Sequence, residues 1–344
     1  MQKLVPDIEI LIGGQKQKID KIVFARVSYA LEKSDMFKIV FNDNDMKLQE
    51  NASFKEGSEV IVKLGYSRKF TKMIKGEIVK IDYDFNTGEQ TTISLIGFDK
   101  SFRLSRTKFS RSFLKMKDSD IARKIAGEMG LKADITSTKQ VHEYIFQNNQ
   151  SNLNFLKLRG KRLDFEVEIE EDTLIFKEAR HTKKDETVVL KWDKNLMEFH
   201  PKIDITKVVD EVIITGWDPK TKKLVKGKAK AGDESNSFGS NGGAKTVVSK
   251  YGSSSSKTFK VDSPITTQEE ANTMAKSKLN KLNMNYISGD GVCIGEPNIR
   301  AGRNITINGV GNRVSGEYYI ISAEHIFNKN GYKTYFDFKR NVGK

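Results

Sequence analysis

The chain reads as a β-rich α+β protein: two similar β-barrel domains with a small α+β domain inserted between them. Three observations predict this. The stretch Gly302–Phe338 repeats the plan of Gly57–Leu95, namely Gly, strand, turn, Gly-Glu, strand, turn, Gly, strand. The matching glycines stand 245 residues apart (Gly57 and Gly302), 240 apart (Gly76 and Gly316) and 243 apart (Gly88 and Gly331). The strands of both copies are rich in Val, Ile, Thr, Tyr and Phe, which suit a pleated, half-buried surface. Between the copies the apolar spacing changes to a helical one. A plain β-meander carries the same glycine-bounded look, so spacing alone leaves duplication and coincidence both open.

At 344 residues the chain is long enough for two or three domains. Expected boundaries are 1–111 for the first barrel, 112–184 for the α+β domain and 185–344 for the second barrel. A strand is expected over Asp7–Gly13, then Ile22–Arg26 and Met36–Phe41, with Ser28–Asp35 as a turn or short helical piece. With the three strands after Gly57 these make a strand-dense barrel or sandwich, with Phe98 and Phe102 in its core. Next, Asp118 or Ser119 caps a helix carrying Ile121, Ala122, Ile125, Ala126 and Met129, stopped by Gly130. His142–Phe146 reads as a strand. Ser151 or Asn152 caps a second helix through Leu153, Leu156 and Leu163, and Phe165–Phe176 alternates as a hairpin around the acidic turn Glu170-Glu-Asp172. In the second barrel, Thr187–Trp192 and Val208–Trp217 are strands, the latter ending at Gly216-Trp-Asp-Pro219. Lys220–Lys230 is a lysine-rich arm, read as a solvated hairpin before a phosphate grip. Residues 231–257 are Gly/Ser-rich and read as a long mobile loop. Thr267-Gln-Glu-Glu270 is a capping box that opens a helix over 267–283. Three strands close the chain.

Composition narrows function mainly by exclusion. The single cysteine, Cys293, rules out an intrachain disulfide and a cysteine-based metal site. Met1–Pro6 lacks an apolar signal core, and no apolar run approaches the ~18 residues of a membrane span. The expectation is synthesis in the bacterial cytoplasm and no membrane insertion of its own. The net charge of +14 comes from 59 Lys+Arg against 45 Asp+Glu spread along the chain. A lysine-heavy composition explains it first, an acidic partner second and nucleic acid third.

The four histidines, His142, His181, His200 and His325, have no metal-ligand spacing. Glu324 and His325 are neighbours on one strand and face opposite sides. Gly309-Val-Gly311 and Gly239–Gly243 lack the helix or Lys-Ser/Thr of a phosphate loop, and Gly-x-Ser-x-Gly is absent. No catalytic, cofactor or metal residue is assigned. A carboxylate pair for a tail-associated cell-wall hydrolase stays open as an alternative, as does a basic nucleic-acid-binding protein.

Four stretches resemble the phage late control D family and the hub half of the VgrG spike proteins of contractile injection systems. They are Phe109–Leu131, Tyr144–Leu158 with the Phe165–Phe176 hairpin, Val212–Pro219, and Pro297–Phe336, the last including Gly316-Glu-Tyr-Tyr-Ile-Ile-Ser-Ala-Glu-His325. The resemblance implies a baseplate hub: a homotrimer with two barrels per chain, so that six similar barrels ring a channel. It implies a hexameric tail tube protein on one side, a trimeric spike on the other, and further baseplate proteins around them. No specific nucleic acid, no cofactor and no chemistry are implied, and the place is a virion tail or injection particle. VgrG proteins continue into an OB-fold and a needle, whereas this sequence stops at Lys344, so a separate spike protein is expected. The strand edges at Val60, Val62, Leu64, Ile305 and Ile307 are the candidate interface residues lining the ring.

Overall fold

The computed structural model describes residues 5–88, 90–182, 188–235, 241–242, 245–246, 249, 258–262 and 264–343. The first unit runs β1 (Pro6–Ile12), β2 (Gln15–Lys16), β3 (Ile22–Ala30), β4 (Met36–Asn42), β5 (Glu59–Tyr66), β6 (Lys69–Asp84) and β7 (Thr92–Asp99). Alternation sends one face inward: Ile8, Ile10 and Ile12 from β1, Phe37, Ile39 and Phe41 from β4, Val60, Val62 and Leu64 from β5, Ile93 and Leu95 from β7. Each such side chain contributes about 1.5–3 kcal/mol on full burial. The β5–β6 hairpin turns on Ser67 and Arg68, both at positive φ (51° and 64°), the backbone a two-residue turn needs to match strand twist. The short helix α1 (Ser101–Arg106) follows. Phe98 and Phe102, expected in the core, are half-buried and stack on each other at 4.9 Å, because alternation turns Phe98 to the face opposite Leu95 and Ile93.

The α+β unit consists of β8 (Lys108–Lys117), α2 (Asp118–Glu128), β9 (Lys132–Ile135), β10 (Val141–Ser151), α3 (Asn152–Leu163), β11 (Phe165–Glu170) and β12 (Thr173–Glu178). It has its own core, with Ile121, Ala122, Ile125, Leu156, Leu174 and Phe176 all fully buried. Ser151 caps α3, its hydroxyl accepting from the Asn154 N–H at 3.3 Å. Neither Asp118 nor Ser119 caps α2. Lys117 takes the N-cap position, and the Asp118 carboxylate is engaged by the Arg159 guanidinium (2.5 Å) and His142 (3.1 Å) instead. That buried, charged partner outbids a backbone N–H for the same oxygens.

The second unit begins with β13 (Val188–Lys191) and β14 (Leu196–Ile203). The chain then leaves the main sheet for β15 (Glu211–Asp218), β16 (Lys223–Lys230), β17 (Asn241–Gly242), β18 (Thr258–Asp262) and α4 (Gln268–Asn283). It returns as β19 (Ile287–Ile294), β20 (Asn304–Asn308), β21 (Gly316–Asn328), β22 (Gly331–Arg340) and β23 (Val342–Gly343). The reading of Val208–Trp217 and the 267–283 helix as parts of the second barrel is corrected here. Among the described residues β15 pairs with β16 and β18 and with no strand of the main sheet, and α4 covers one face of this three-stranded sheet over Val212, Ile214, Val225, Ala271, Ala275 and Leu279. Gly227 permits the contact, since a Cβ there would lie 2.1 Å from the Ala271 carbonyl. Thr267 caps α4 through the Glu270 N–H (3.3 Å), but the Glu270 carboxylate reaches Arg162 rather than closing the box. Most of the 231–257 loop, and Thr187 of the expected strand, lie outside the described residues.

Among the described residues thirteen strands form one sheet, and the two units share it and its core. The first unit pairs in the order β3-β4-β7-β6-β5-β1 and the second in the order β14-β19-β22-β21-β20-β13. Taken by chain position, the two orders are identical. Two irregularities coincide too, while a third, between Val62 and Lys63 in β5·β6, has no counterpart in β20·β21. A bulge interrupts β3·β4 after Ile22 and β14·β19 after Leu196. Another interrupts β6·β7 after Ile78 and β21·β22 after Ile320. One difference is that β1 runs antiparallel to β5, whereas β13 runs parallel to β20.

Candidate assembly interface

The two units meet where β3 lies antiparallel along the second half of β21, from Ala30 opposite Ser322 to Phe24 opposite Asn328. The strand therefore claims Ser28–Ala30, which read from sequence as a turn: they pair with β21 and have no need of a local turn. The junction is tightly built. His325 is fully buried, its Nε2 donating to the Ile299 carbonyl (2.8 Å) and its Nδ1 accepting from the Tyr332 hydroxyl (2.7 Å). Burial pushes its pKa down to about 3, so the ring is neutral and structural. Tyr29 meets His325 edge-on at 5.6 Å and donates to the Met73 carbonyl (2.6 Å), tying the junction to β6.

The corresponding half of β6 is bare. β5 covers β6 as far as Glu77, and among the described residues no strand covers Lys80–Asp84 on that side. Tyr83 and Phe85 there are 47% and 57% exposed and stack on each other. Among the described residues β14 is likewise an edge strand, paired with β19 and otherwise only bridged at Leu196 to Trp192. Its outer positions carry Glu198, His200 and Lys202, with Pro201 in mid-strand, where a missing N–H is tolerated at an edge.

The five candidate interface residues are placed differently. Val60, Val62, Leu64, Ile305 and Ile307 are all essentially fully buried in the shared core. β5 is paired on both sides by β1 and β6, and β20 on both sides by β13 and β21, so neither strand offers an edge. Their alternation marked the inward face of a strand correctly but carried no information on which strands end a sheet. The long strands offered a partial signal: β21 spans 13 residues against 5 in its hairpin partner β20, and β6 spans 16 against 8 in β5, so each has a half that its hairpin partner cannot cover.

Charge seats the α+β unit on this sheet. The acidic turn between β11 and β12 lies over lysines of the first unit, with Glu171 on Lys72 and Asp172 on Lys100 (2.5 Å) and Lys75 (3.5 Å). Arg303 reaches Glu168 at 3.4 Å and also pairs with Glu170. Beneath the turn, burial raises the pKa of Asp35, Glu166 and Glu168, and pushes Asp99 up to about 6 against a bond from the Ser101 hydroxyl (2.5 Å).

The other polar groups singled out from sequence are structural. His142, His181 and His200 each pair with an aspartate, Asp118, Asp164 and Asp290 respectively. Cys293 is buried, which pushes its thiol up to about 12, far from a reactive thiolate. No group of His, Cys, Asp or Glu among the described residues could hold a metal ion. The lysines of β16 alternate with buried Val225, Gly227 and Ala229, so they form the solvent face of an amphipathic strand. No described helix is long and apolar enough to cross a membrane.

Comparison with known proteins supports the same architecture. The chain is similar to the prophage MuSo2 43 kDa tail protein from Shewanella oneidensis (TM-score 0.73, 14% identity, covering 98% of this chain and 100% of that one). It is similar to the tail protein from Neisseria meningitidis MC58 (TM-score 0.72, 12% identity, 98% and 97%). It also resembles the E. coli c3393 protein, a type VI secretion component described as structurally similar to T4 tail proteins gp27 and gp5 (TM-score 0.63, 10% identity, 97% and 78%). At these identities the likeness is one of fold. No curated protein matches. The family model that matches is not late control D, as the sequence resemblance implied, but that of the Alg8 N-terminal domain, over residues 2–329. With nearly the whole length matched, the chain belongs to the Alg8 N-terminal domain family.

Proposed function

We propose that the protein is the central hub of a contractile tail or injection-particle baseplate. Three copies form a ring of six similar β-units. The ring presents pseudo-sixfold symmetry to a hexameric tail tube and threefold symmetry to a spike, with other baseplate proteins around it. Residues 1–111 supply one ring unit, 185–207 and 284–344 supply the other, and 112–184 and 208–283 are separate layers beside them. The role is adaptor and channel, with no bond made or broken.

The observation that carries this reading is one strand-pairing scheme used twice, down to matching bulges. A threefold object imitates a sixfold one only if each chain holds two equivalent units. The tail-protein folds of the structural neighbours support the same reading. The test is the mass in solution and averaged electron images of the protein, alone and with the tube and spike proteins of its particle. A trimeric ring with six similar lobes is expected. A chain that stays monomeric with both partners present would refute the hub.

A further inference from the structure

The hub reading leaves open which surfaces join one chain to the next, and the duplicated units answer that. The matching bulges set the correspondence between them. Counted from Ile78 and Ile320, Lys80–Asn86 of the first unit correspond to Ser322–Asn328 of the second. Counted from Ile22 and Leu196, Phe24–Ala30 correspond to Glu198–Asp204. Inside the chain, Ser322–Asn328 pairs with Phe24–Ala30. The two counterparts of that junction, the bare half of β6 and the outer edge of β14, are both open among the described residues.

Resting on the trimeric reading, we infer that β14 of one copy adds to β6 of the next, antiparallel, in the register of the internal junction. Transferring that register sets Lys80 opposite Asp204, Asp82 opposite Lys202 and Asp84 opposite His200. Ile81 then faces Ile203, Tyr83 faces Pro201 and Phe85 faces Phe199. Nothing in the transfer selects for chemistry, yet charges meet opposite charges or a titratable histidine, and apolar groups meet apolar groups, each a favourable cross-strand pair. A one-residue slip would set Asp82 against Ile203 and Tyr83 against Lys202, losing both matches.

The two edges differ from each other, so the contact is head-to-tail, and each copy carries one of each; three copies close the ring with each of these two edges used once. The exposed stack of Tyr83 and Phe85 is the surface such an addition covers, as His325, the counterpart of Tyr83, is covered inside the chain. Present partners are solvated and cheap to exchange: Lys80 with Asp82 (2.7 Å) and His200 with Asp290 (2.9 Å) are more than 40% exposed on both sides.

The test uses the full chain with buried Cys293→Ser and paired cysteines, either Asp82→Cys with Lys202→Cys or Tyr83→Cys with Pro201→Cys. Adjacent pairs alternate between wide and narrow spacing, so one of the two suits a disulfide. Oxidation is expected to give covalent trimers from one of these and none from the slipped combination Asp82→Cys with Ile203→Cys. Mass in solution is measured in parallel, with and without tube and spike proteins. A trimer that does not cross-link in either pair overturns this register and leaves the hub intact, whereas a persistent monomer overturns both. Charge reversal gives an independent arm: Asp82→Lys should weaken trimerisation at least tenfold, and adding Lys202→Asp should restore it. No rescue would count against the pairing.

Discussion

The two β-units use one plan and solve its packing in opposite ways. In the first, Phe37 of β4 faces Gly97 of β7; at the corresponding place in the second, Gly289 of β19 faces Phe338 of β22. The large and small partners have exchanged strands. In each case the aromatic ring fills the space above the glycine, and a Cβ on the glycine would lie 2.3 Å from the Phe37 ring or 2.8 Å from the Phe338 ring. Two positions further, Asp99 ends β7 and Arg340 ends β22, both buried and of opposite charge. Equivalence therefore resides in pairing order and in the volume shared across a pair, not in residue identity. The units also differ in completeness. The long strand of the second unit is covered on both sides, and that of the first is left half open.

The comparison can be broken at three points. Phe37→Ala and Phe338→Ala each empty the same slot, so each should cost about 3–5 kcal/mol in denaturant unfolding, with similar values. A small loss for one and a large loss for the other would show that the slots are not equivalent. Next, His325→Ala strands the Tyr332 hydroxyl and the Ile299 carbonyl in a dry junction and should cost about 2–3 kcal/mol. Tyr83→Ala, its counterpart on the open half, should stay within about 0.5 kcal/mol for the isolated chain. Equal effects would mean that β6 is already covered within one copy.

The smallest effect separates Asp99 from Arg340. Burial raises the Asp99 carboxyl to about 6, above its ordinary value of 3.8, so the folded state holds this proton more tightly than the unfolded one. Its contribution is therefore most favourable at low pH and is lost as pH rises from about 4 through 6, at on the order of 1 kcal/mol per unit. Unfolding measured between pH 4 and 6 should show this component, and Asp99→Asn should remove it. Burial lowers the Arg340 pKa, but an arginine starts far above this window, so Arg340 contributes no matching dependence.

Local order was largely legible. The helical spacing of Ile121, Ala122, Ile125 and Ala126 placed α2, and Ser151 and Thr267 marked their helix starts, because caps and periodicity depend on neighbours in the chain. The interface was not legible. Val60 and Ile305 have the look of any inward strand residue, and whether a strand lies at an edge depends on what distant segment arrives beside it.

The sequence by itself determined most strands, the helices α2, α3 and α4, and the recurrence of one glycine-and-strand plan, since alternation, caps and glycine punctuation are written locally. Only the tertiary structure decided that the two units share one sheet, that residues 208–283 leave it to build a layer of their own, and that β6 and β14 are left open. The physical reason is that backbone hydrogen bonds between strands carry no residue code. Which strand pairs with which is settled by burying all the apolar faces at once, a condition no short stretch can express.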